Sequence, residues 1–470
     1  MAHKKIPYKG SFALVTKFVL LLLFTIMFSY VWENFSSREM DIPYFRRGNF
    51  LVIVIYILLV YVFSNFYGAY KVGSFRVSEI IYSQILSLFF VNIVTYFQLS
   101  LIARHLIGPK PLFWMTLAQI PVVVLWAYVS NRIYFRLYPP REMILVYGSK
   151  SAVNLVYKMS LRYDKYRICT AINADDGLDA VLEKVRQYRC VIICDVHDPV
   201  RSKLLKFCFQ NAIRVYLTPR MSDVITRSAE TIHLFDTPLL LCRNQGIPPE
   251  QRFAKRILDL IVSSIGLLLA CPFMLVTALA IKLCDGGPVL FKQDRLTVGG
   301  KVFPVYKFRS MYVDAERDGV ARLASQNDDR ITPVGKIIRK VRLDELPQLL
   351  NVLKGDMSIV GPRPERPEIA ESYRADMPEF DFRLKVKAGL TGYAQVYGKY
   401  NTTPYDKLMM DLIYINTYSL ILDLKLILMT VKILFLPEST EGVAEGALLA
   451  NEMPFPHETD SEAPQQGDSK

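Results

Sequence analysis

Four stretches within the first 150 residues are apolar and almost free of charge: Phe12–Trp32, interrupted only by Lys17, then Asn49–Tyr70, Ile80–Ala103 and Pro111–Asn131. Each approaches or exceeds the ~20 residues that cross a bilayer as helix. Buried helices of soluble proteins rarely stay uncharged for so long. The pattern predicts four N-terminal transmembrane helices over residues 1–138. No small-residue cleavage site follows the first stretch, so a cleaved leader is not expected. With the N-terminus inside, Lys4, Lys5, Lys9, Lys71, Arg76, Arg132, Arg136 and Arg141 lie on the cytoplasmic side, against Arg38, Arg46, Arg47, Arg104 and Lys110 outside. The excess favours that orientation and returns the chain to the cytoplasm after the fourth span.

The pattern changes after Tyr138-Pro139-Pro140. Residues 143–148 read as a buried parallel strand ending in a turn at Gly148, and Ser151–Met159 as a helix. Residues 190–195 read as a second strand, Leu204–Gln210 as a helix and residues 214–217 as a third strand. Alternating strands and helices imply a Rossmann-like α/β domain over 141–248. Dinucleotide binding is disfavoured, because Lys150 and Val153 stand where the second and third glycines of GxGxxG belong.

A fifth apolar stretch, Leu260–Ile281, is uncharged but contains Pro272. Lys255 and Arg256 precede it and Lys282 follows. Cations at both ends favour the same membrane face for both, and a proline removes a mid-helix hydrogen bond. The expectation is a helix–break–helix hairpin near 257–283 that enters one leaflet and returns; a plain fifth span is the alternative. Arg256 and Asp259, three residues apart on one helix face, are candidates for an ion pair at the interface.

Charge sharpens this picture. The chain carries +13, which by itself admits nucleic acid, anionic lipid or phosphorylated substrates. Residues 1–150 hold fifteen Lys and Arg against five Asp and Glu, most of them beside membrane ends. Residues 151–250 hold fourteen against eleven, too even for a nucleic-acid surface. Residues 436–470 hold one against eight and form an expected disordered acidic tail from 437. The seven scattered cysteines suggest neither a disulfide framework nor a zinc site; Cys190 and Cys194 read as strand residues.

The remaining segment carries the chemistry. Residues 291–295 and 306–311 alternate cations with apolar residues, as half-buried strands do. Asp344 and Glu345 are adjacent at a helix start, with Leu346, Leu349, Leu350 and Leu353 as its apolar face. Acids in a first turn complement the helix dipole, and that structural role accounts for them on spacing alone. Lys307, Arg309, Arg339, Arg342 and Arg363 are more positive charge than two carboxylates need. Carboxylates among several Arg and Lys suit a substrate with two phosphates, since Arg forks grip phosphate oxygens and a carboxylate holds Mg²⁺ or attacks phosphorus.

These motifs resemble the bacterial sugar transferases, the polyisoprenyl-phosphate hexose-1-phosphate transferases (monotopic phosphoglycosyl transferases), from about Arg252 to Leu436. The resemblance rests on Lys255-Arg256 with Asp259, Gly287-Pro288-Val289, residues 306–311, Leu343-Asp344-Glu345-Leu346-Pro347-Gln348, Gly355-Asp356-Met357-Ser358, Gly361-Pro362-Arg363-Pro364-Glu365 and Gly389-Leu390-Thr391-Gly392. Cys271 replaces the serine common before the break proline, and Ala388 and Tyr393 replace the Pro and Trp that usually flank Gly-Leu-Thr-Gly. The resemblance implies membrane α plus α/β architecture: the four-span region, the α/β domain, and a C-terminal α+β catalytic domain over 251–436 with a re-entrant helix broken at Pro272.

It also implies transfer of a sugar-1-phosphate from a UDP-sugar to undecaprenyl phosphate with release of UMP, initiating exopolysaccharide or capsule synthesis at the inner membrane, catalytic domain in the cytoplasm. Asp344 would be the nucleophile and Mg²⁺ ligand, with Glu345 and Lys307 assisting. Arg309, Arg342 and Arg363 would bind phosphate, and Thr391, Gly392 and Gln395 would approach the nucleotide. The stretch 420–436, apolar but carrying Asp423, Lys425 and Lys432, reads as interfacial. Partners are then the donor, the lipid and the membrane, without nucleic acid; a homodimer through the α/β domain is one open arrangement. The competing function is an idle membrane scaffold for later glycosyltransferases, against which the intact Asp344, Glu345, Lys307 and Arg363 argue. The sugar is not legible.

Overall fold

The computed structural model describes residues 9–39, 46–149, 152–242, 246–312, 330–398 and 402–434. The acidic segment from 437, Lys4, Lys5 and Lys150 lie outside them. The chain divides into two compact units between Thr218 and Pro219, earlier in sequence than the 248/251 boundary read from composition.

The first unit opens with apolar helices α1 (Lys9–Asn34), α2 (Arg46–Phe66), α3 (Val77–Ala103) and α4 (Lys110–Leu137). Each is long and apolar enough to cross a membrane. Their polar side chains meet inside. The Tyr56 hydroxyl donates to Asn92 Oδ1 (3.2 Å), Asn92 Nδ2 to Gln119 Oε1 (2.9 Å) and Gln119 Nε2 back to the Tyr56 hydroxyl (2.8 Å). This ring ties α2, α3 and α4 together and satisfies groups that lipid cannot. Large apolar side chains such as Leu101, Trp114 and Leu125 face outward.

The same unit continues with β1 (Arg141–Tyr147), α5 (Ala152–Ser160), β2 (Tyr166–Asn173), α6 (Leu178–Arg186), β3 (Cys190–Cys194), α7 (Asp198–Gln210) and β4 (Arg214–Leu217). The sheet is parallel in the order β2-β1-β3-β4. Uninterrupted apolar strands are what a sheet covered on both faces requires. Ile144, Val146, Val191 and Ile193 pack on Val181, Val185, Leu204 and Cys208 of α6 and α7. Met143, Leu145 and Ile192 pack on Ala152 and Leu155 of α5. Cys190 and Cys194 are buried strand residues, and all seven cysteines are free. β2 and α6 are additions to the sequence reading: β2 is half-exposed and α6 carries charges throughout, so neither has a strong apolar signature.

The second unit holds α8 (Met221–Thr226), the hairpin β5 (Glu230–Leu234) and β6 (Thr237–Leu241), and the long helix α9 (Pro249–Asp285). Next come the hairpin β7 (Leu290–Leu296) and β8 (Val302–Phe308), α10 (Pro333–Lys340), a 3₁₀ turn Leu343–Glu345, α11 (Gln348–Lys354) and β9 (Ser358–Val360). The unit closes with α12 (Pro367–Asp376), β10 (Gly389–Thr391), α13 (Tyr393–Tyr397), α14 (Pro404–Asn416) and α15 (Leu420–Leu434). β9 and β10 pair in parallel.

Helix α9 runs continuously through Pro272, without the interruption read from the sequence. A single proline costs one backbone bond and its ring contact, which neighbouring turns can carry. One side of α9 packs along the unit over its whole length. Asp259 is buried against β9, Gly266 abuts Leu349 of α11, and Ile281 clusters with Phe308 and Ile338 of β8 and α10. The opposite side exposes Ile265, Leu268, Leu269, Phe273, Leu275 and Leu283.

Candidate active site

Two devices bring Asp344 and Glu345 to the β7–β8 hairpin. Arg342 adopts φ +55°, in the left-handed region, and turns the chain into the 3₁₀ turn. Such a conformation in a non-glycine residue costs on the order of 1–3 kcal/mol and concentrates at functional sites. Beyond the turn, Asn351 of α11 accepts from Tyr306 N (3.0 Å) and donates to the Pro304 carbonyl (2.8 Å), stapling α11 to β8. Strand β8 therefore presents Lys307 to Glu345, with Nζ 3.7 Å from Oε1. Arg363, which follows β9, reaches the same oxygen at 3.0 Å through Nη2.

The two neighbouring carboxyls are driven apart. Burial would raise Glu345, but the positive charges of Arg363, Lys307 and Arg342 outweigh it and hold the carboxyl down at about 2. Burial and then the Glu345 charge push Asp344 up to about 6, against the smaller pull of Lys307, Arg339 and Arg363. Burial lowers Lys307, partly offset by Glu345. The opposed shifts make the adjacent acids unlike: cations hold Glu345 ionised, and Asp344 is less engaged by them.

Gln395 of α13 joins this cluster: its Oε1 accepts from Arg363 Nη1 at 3.4 Å. Its Nε2 is shielded from solvent without a protein partner, which leaves a donor for a bound oxygen. Close backbone packing places α13 there. A Cβ on Gly392 would collide with the Gly361 carbonyl, so the Gly361 and Gly389–Gly392 segments approach only as glycine.

Other residues singled out in the sequence make contacts within the fold. The Thr391 hydroxyl is 2.6 Å from that of Thr430 on α15. Arg309 is buried against Gly287, where any Cβ would overlap its guanidinium. Arg256 and Asp259 do not pair with each other. Arg256 donates to the Val352 and Leu353 carbonyls (2.6 and 2.7 Å), capping the C-terminus of α11. Asp259 Oδ1 accepts from the Ser358 hydroxyl and Ile359 N, both at 2.9 Å, anchoring β9. The i,i+3 spacing was right for a pair, but unsatisfied backbone groups on α11 and β9 were the stronger partners. Pro272 sits on the exposed face of α9.

Two buried ionic groups had no part in the sequence-based site. Lys255 Nζ lies 2.6 Å from Asp423 Oδ2 and donates to the Tyr414 hydroxyl (3.1 Å), which donates to Asp423 Oδ1 (2.8 Å). Asp423, read as an interfacial charge, is thus turned fully inward. Arg383 lies 2.8 Å from Asp411, and both are buried. The available signal was a lone acid inside an apolar run, which demands a buried cation.

The family model described as bacterial sugar transferase matches residues 250–437. The UDP-glucose:undecaprenyl-phosphate glucose-1-phosphate transferase of Caulobacter vibrioides is 44% identical over 202 residues, 42% of this chain and 75% of that protein. The UDP-N-acetylgalactosamine-undecaprenyl-phosphate N-acetylgalactosaminephosphotransferase of Aeromonas hydrophila is 39% identical over 234 residues, 49% of this chain and 54% of the relative. An Escherichia coli glucose-1-phosphate transferase of the same description as the Caulobacter protein is 43% identical over 205 residues, 43% of this chain and 42% of the relative. The chain thus spans about half the length of the latter two relatives and three quarters of the first. With the matched segment enclosing the whole carboxylate–cation cluster, the chain belongs to the bacterial sugar transferase family.

Proposed function

We propose that the protein transfers a sugar-1-phosphate from a UDP-sugar to undecaprenyl phosphate, releasing UMP. The observation that carries the reading is the divided carboxylate pair: Asp344 raised to about 6 beside Glu345 held at about 2, under Lys307 and Arg363. In the first step the Asp344 carboxylate attacks the sugar-bearing phosphorus. The bond to the bridging oxygen breaks and UMP leaves with the electron pair. In the second step an oxygen of the lipid phosphate attacks the same phosphorus and displaces Asp344. Above pH 6 Asp344 is mostly ionised and able to attack. Arg363 and Lys307 take the phosphate oxygens, positions where a charged donor gains most as charge moves in the transition state. Glu345 keeps both cations aimed, and Gln395 Nε2 offers a neutral donor at the edge.

Mg²⁺ fits this donor set. The ion is commonly held by one or two carboxylates, with substrate phosphates completing its shell. Among the described residues no group of three or more His, Cys, Asp or Glu gathers, so the diphosphate would supply what the protein does not. Asp344, with Glu345 beside it, would hold the ion. When bound it neutralises charge on the transferred phosphoryl group.

In this reading helix α9 is seated along one membrane face and does not cross. A crossing helix carries its ends to opposite faces, ~30 Å apart. Here early residue Asp259 and late residue Ile281 both dock on the same unit, while the apolar side remains exposed. That supports one face for both ends and an active site at the cytoplasmic surface, where the lipid phosphate lies. The parallel unit acts as a Rossmann-like scaffold without the dinucleotide glycines. Membranes holding the protein, given Mg²⁺, undecaprenyl phosphate and a panel of UDP-sugars, should release UMP with at least one donor. Full activity of Asp344→Asn would sink the mechanism.

A further inference from the structure

Resting on that reading of Arg363 as a phosphate ligand, we propose that Asp411 and Arg383 are positioning residues that aim Arg363. The site explains its guanidinium but not what fixes its backbone. Arg363 lies between Pro362 and Pro364. The prolines fix their own φ, and a residue before proline is confined to extended backbone. The segment is therefore stiff, and grips on its carbonyls set its direction as a unit.

Four such grips occur in succession, starting with the Gly389 backbone N–H, which donates to the Pro362 carbonyl at 2.8 Å. Arg383 Nη2 donates to the Arg363 carbonyl at 3.0 Å. Arg295 Nη1 donates to the Pro364 carbonyl at 3.1 Å. The Leu296 backbone N–H donates to the Glu365 carbonyl at 3.0 Å. Of these, the Arg383 grip depends on a fully buried ion pair. Arg383 Nε and Nη2 lie 3.0 and 2.8 Å from Asp411 Oδ2, and Nη1 lies 3.5 Å from Glu365 Oε1. The two side chains are 4% and 1% exposed, beyond the reach of a substrate.

Burying such a pair rarely gains stability over apolar packing of equal volume. What apolar packing cannot do is hold one carbonyl in one direction. The pair fixes Arg383, Arg383 fixes the Arg363 carbonyl, and Arg363 is left aimed at Glu345 with Nη2 3.0 Å from it. Lysine at 383 keeps the charge but lacks the fork that engages Asp411 and the carbonyl together.

The test is a double-mutant cycle on the full chain in membranes. The quantity is kcat/KM for UMP release with the best donor of the UDP-sugar panel. Arg363→Ala should lose about 100-fold. Asp411→Asn and Arg383→Lys should each lose about tenfold, as supporting groups do. Because they act through Arg363, Arg363→Ala combined with either should be no worse than Arg363→Ala alone. Losses that multiply, or wild-type activity in both supporting variants, overturn the proposal. So does loss of the folding transition in both, which would make the pair purely structural. If Arg363→Ala itself is fully active, the phosphate-ligand reading fails instead, a distinguishable outcome.

Discussion

The raised Asp344 carboxyl predicts a specific pH dependence for the first half-reaction. Asp344 must be ionised to attack, so the rate falls as pH drops through its value of about 6. Its ordinary value is 3.8, so the rise is roughly two units. Burial is the larger cause and the Glu345 charge the next. Glu345→Gln removes that charge and also frees Lys307 and Arg363, both of which pull Asp344 down. The acidic limb should then move to lower pH by about one unit or more, even as the plateau falls by about 100-fold. Lys307→Met removes an opposing cation and should move the limb the other way. The assay is single-turnover UMP release without lipid acceptor, quenched across about pH 4.5 to 8. A Glu345→Gln limb that stays near 6 or rises would refute the argument that these neighbours set the nucleophile.

Three further outcomes follow from the same geometry. Asp344→Asn should stabilise the fold while abolishing transfer. The folded value of about 6 lies above the ordinary 3.8, so the ionised side chain costs stability fully above that window and not below it. Melting should rise by about 2–4 °C near pH 7.5, with no gain near pH 4; no change at either pH would contradict it. Gly392→Ala drives a methyl into the Gly361 carbonyl and should abolish activity through β9–β10 separation, measured as lost transfer with lowered melting. Lys255→Met leaves the buried Asp423 without its cation and should destabilise by about 3–5 kcal/mol, most of it recovered in Lys255→Met/Asp423→Leu; thermal melts showing no loss in the single variant, or no recovery in the double, would contradict it.

Much of this could be read from residue order because the signals were local. The N-terminal helices announce themselves by length without charge, and the parallel strands by buried runs such as Met143–Val146. The β7–β8 hairpin shows in alternation, and Asp344 and Glu345 are adjacent in the chain. Charge excess alone singles out Lys307, Arg309, Arg339, Arg342 and Arg363; of these, Lys307 and Arg363 reach Glu345. Less visible was anything decided by a distant partner. Arg256 and Asp259 suit each other in spacing, yet the open carbonyls of α11 and the edge of β9 claimed them. Arg383 gave no signal of its own: its partner Asp411 is 28 residues on, in another helix. Asp411 and Asp423 did carry one, each an acid within an apolar run. A charge there needs a buried cation, but spacing does not say which.

The central claim is that Asp344 carries the sugar phosphate, and trapping that species tests it most directly. The protein would be incubated with its UDP-sugar donor and Mg²⁺ without undecaprenyl phosphate, then quenched in acid and peptide-mapped by mass spectrometry. At most one UMP should be released per chain, with a sugar-phosphoryl adduct on the peptide bearing Asp344 that is discharged when the lipid is added. UMP release that requires the lipid and leaves no adduct, or an adduct on any other residue, would contradict it.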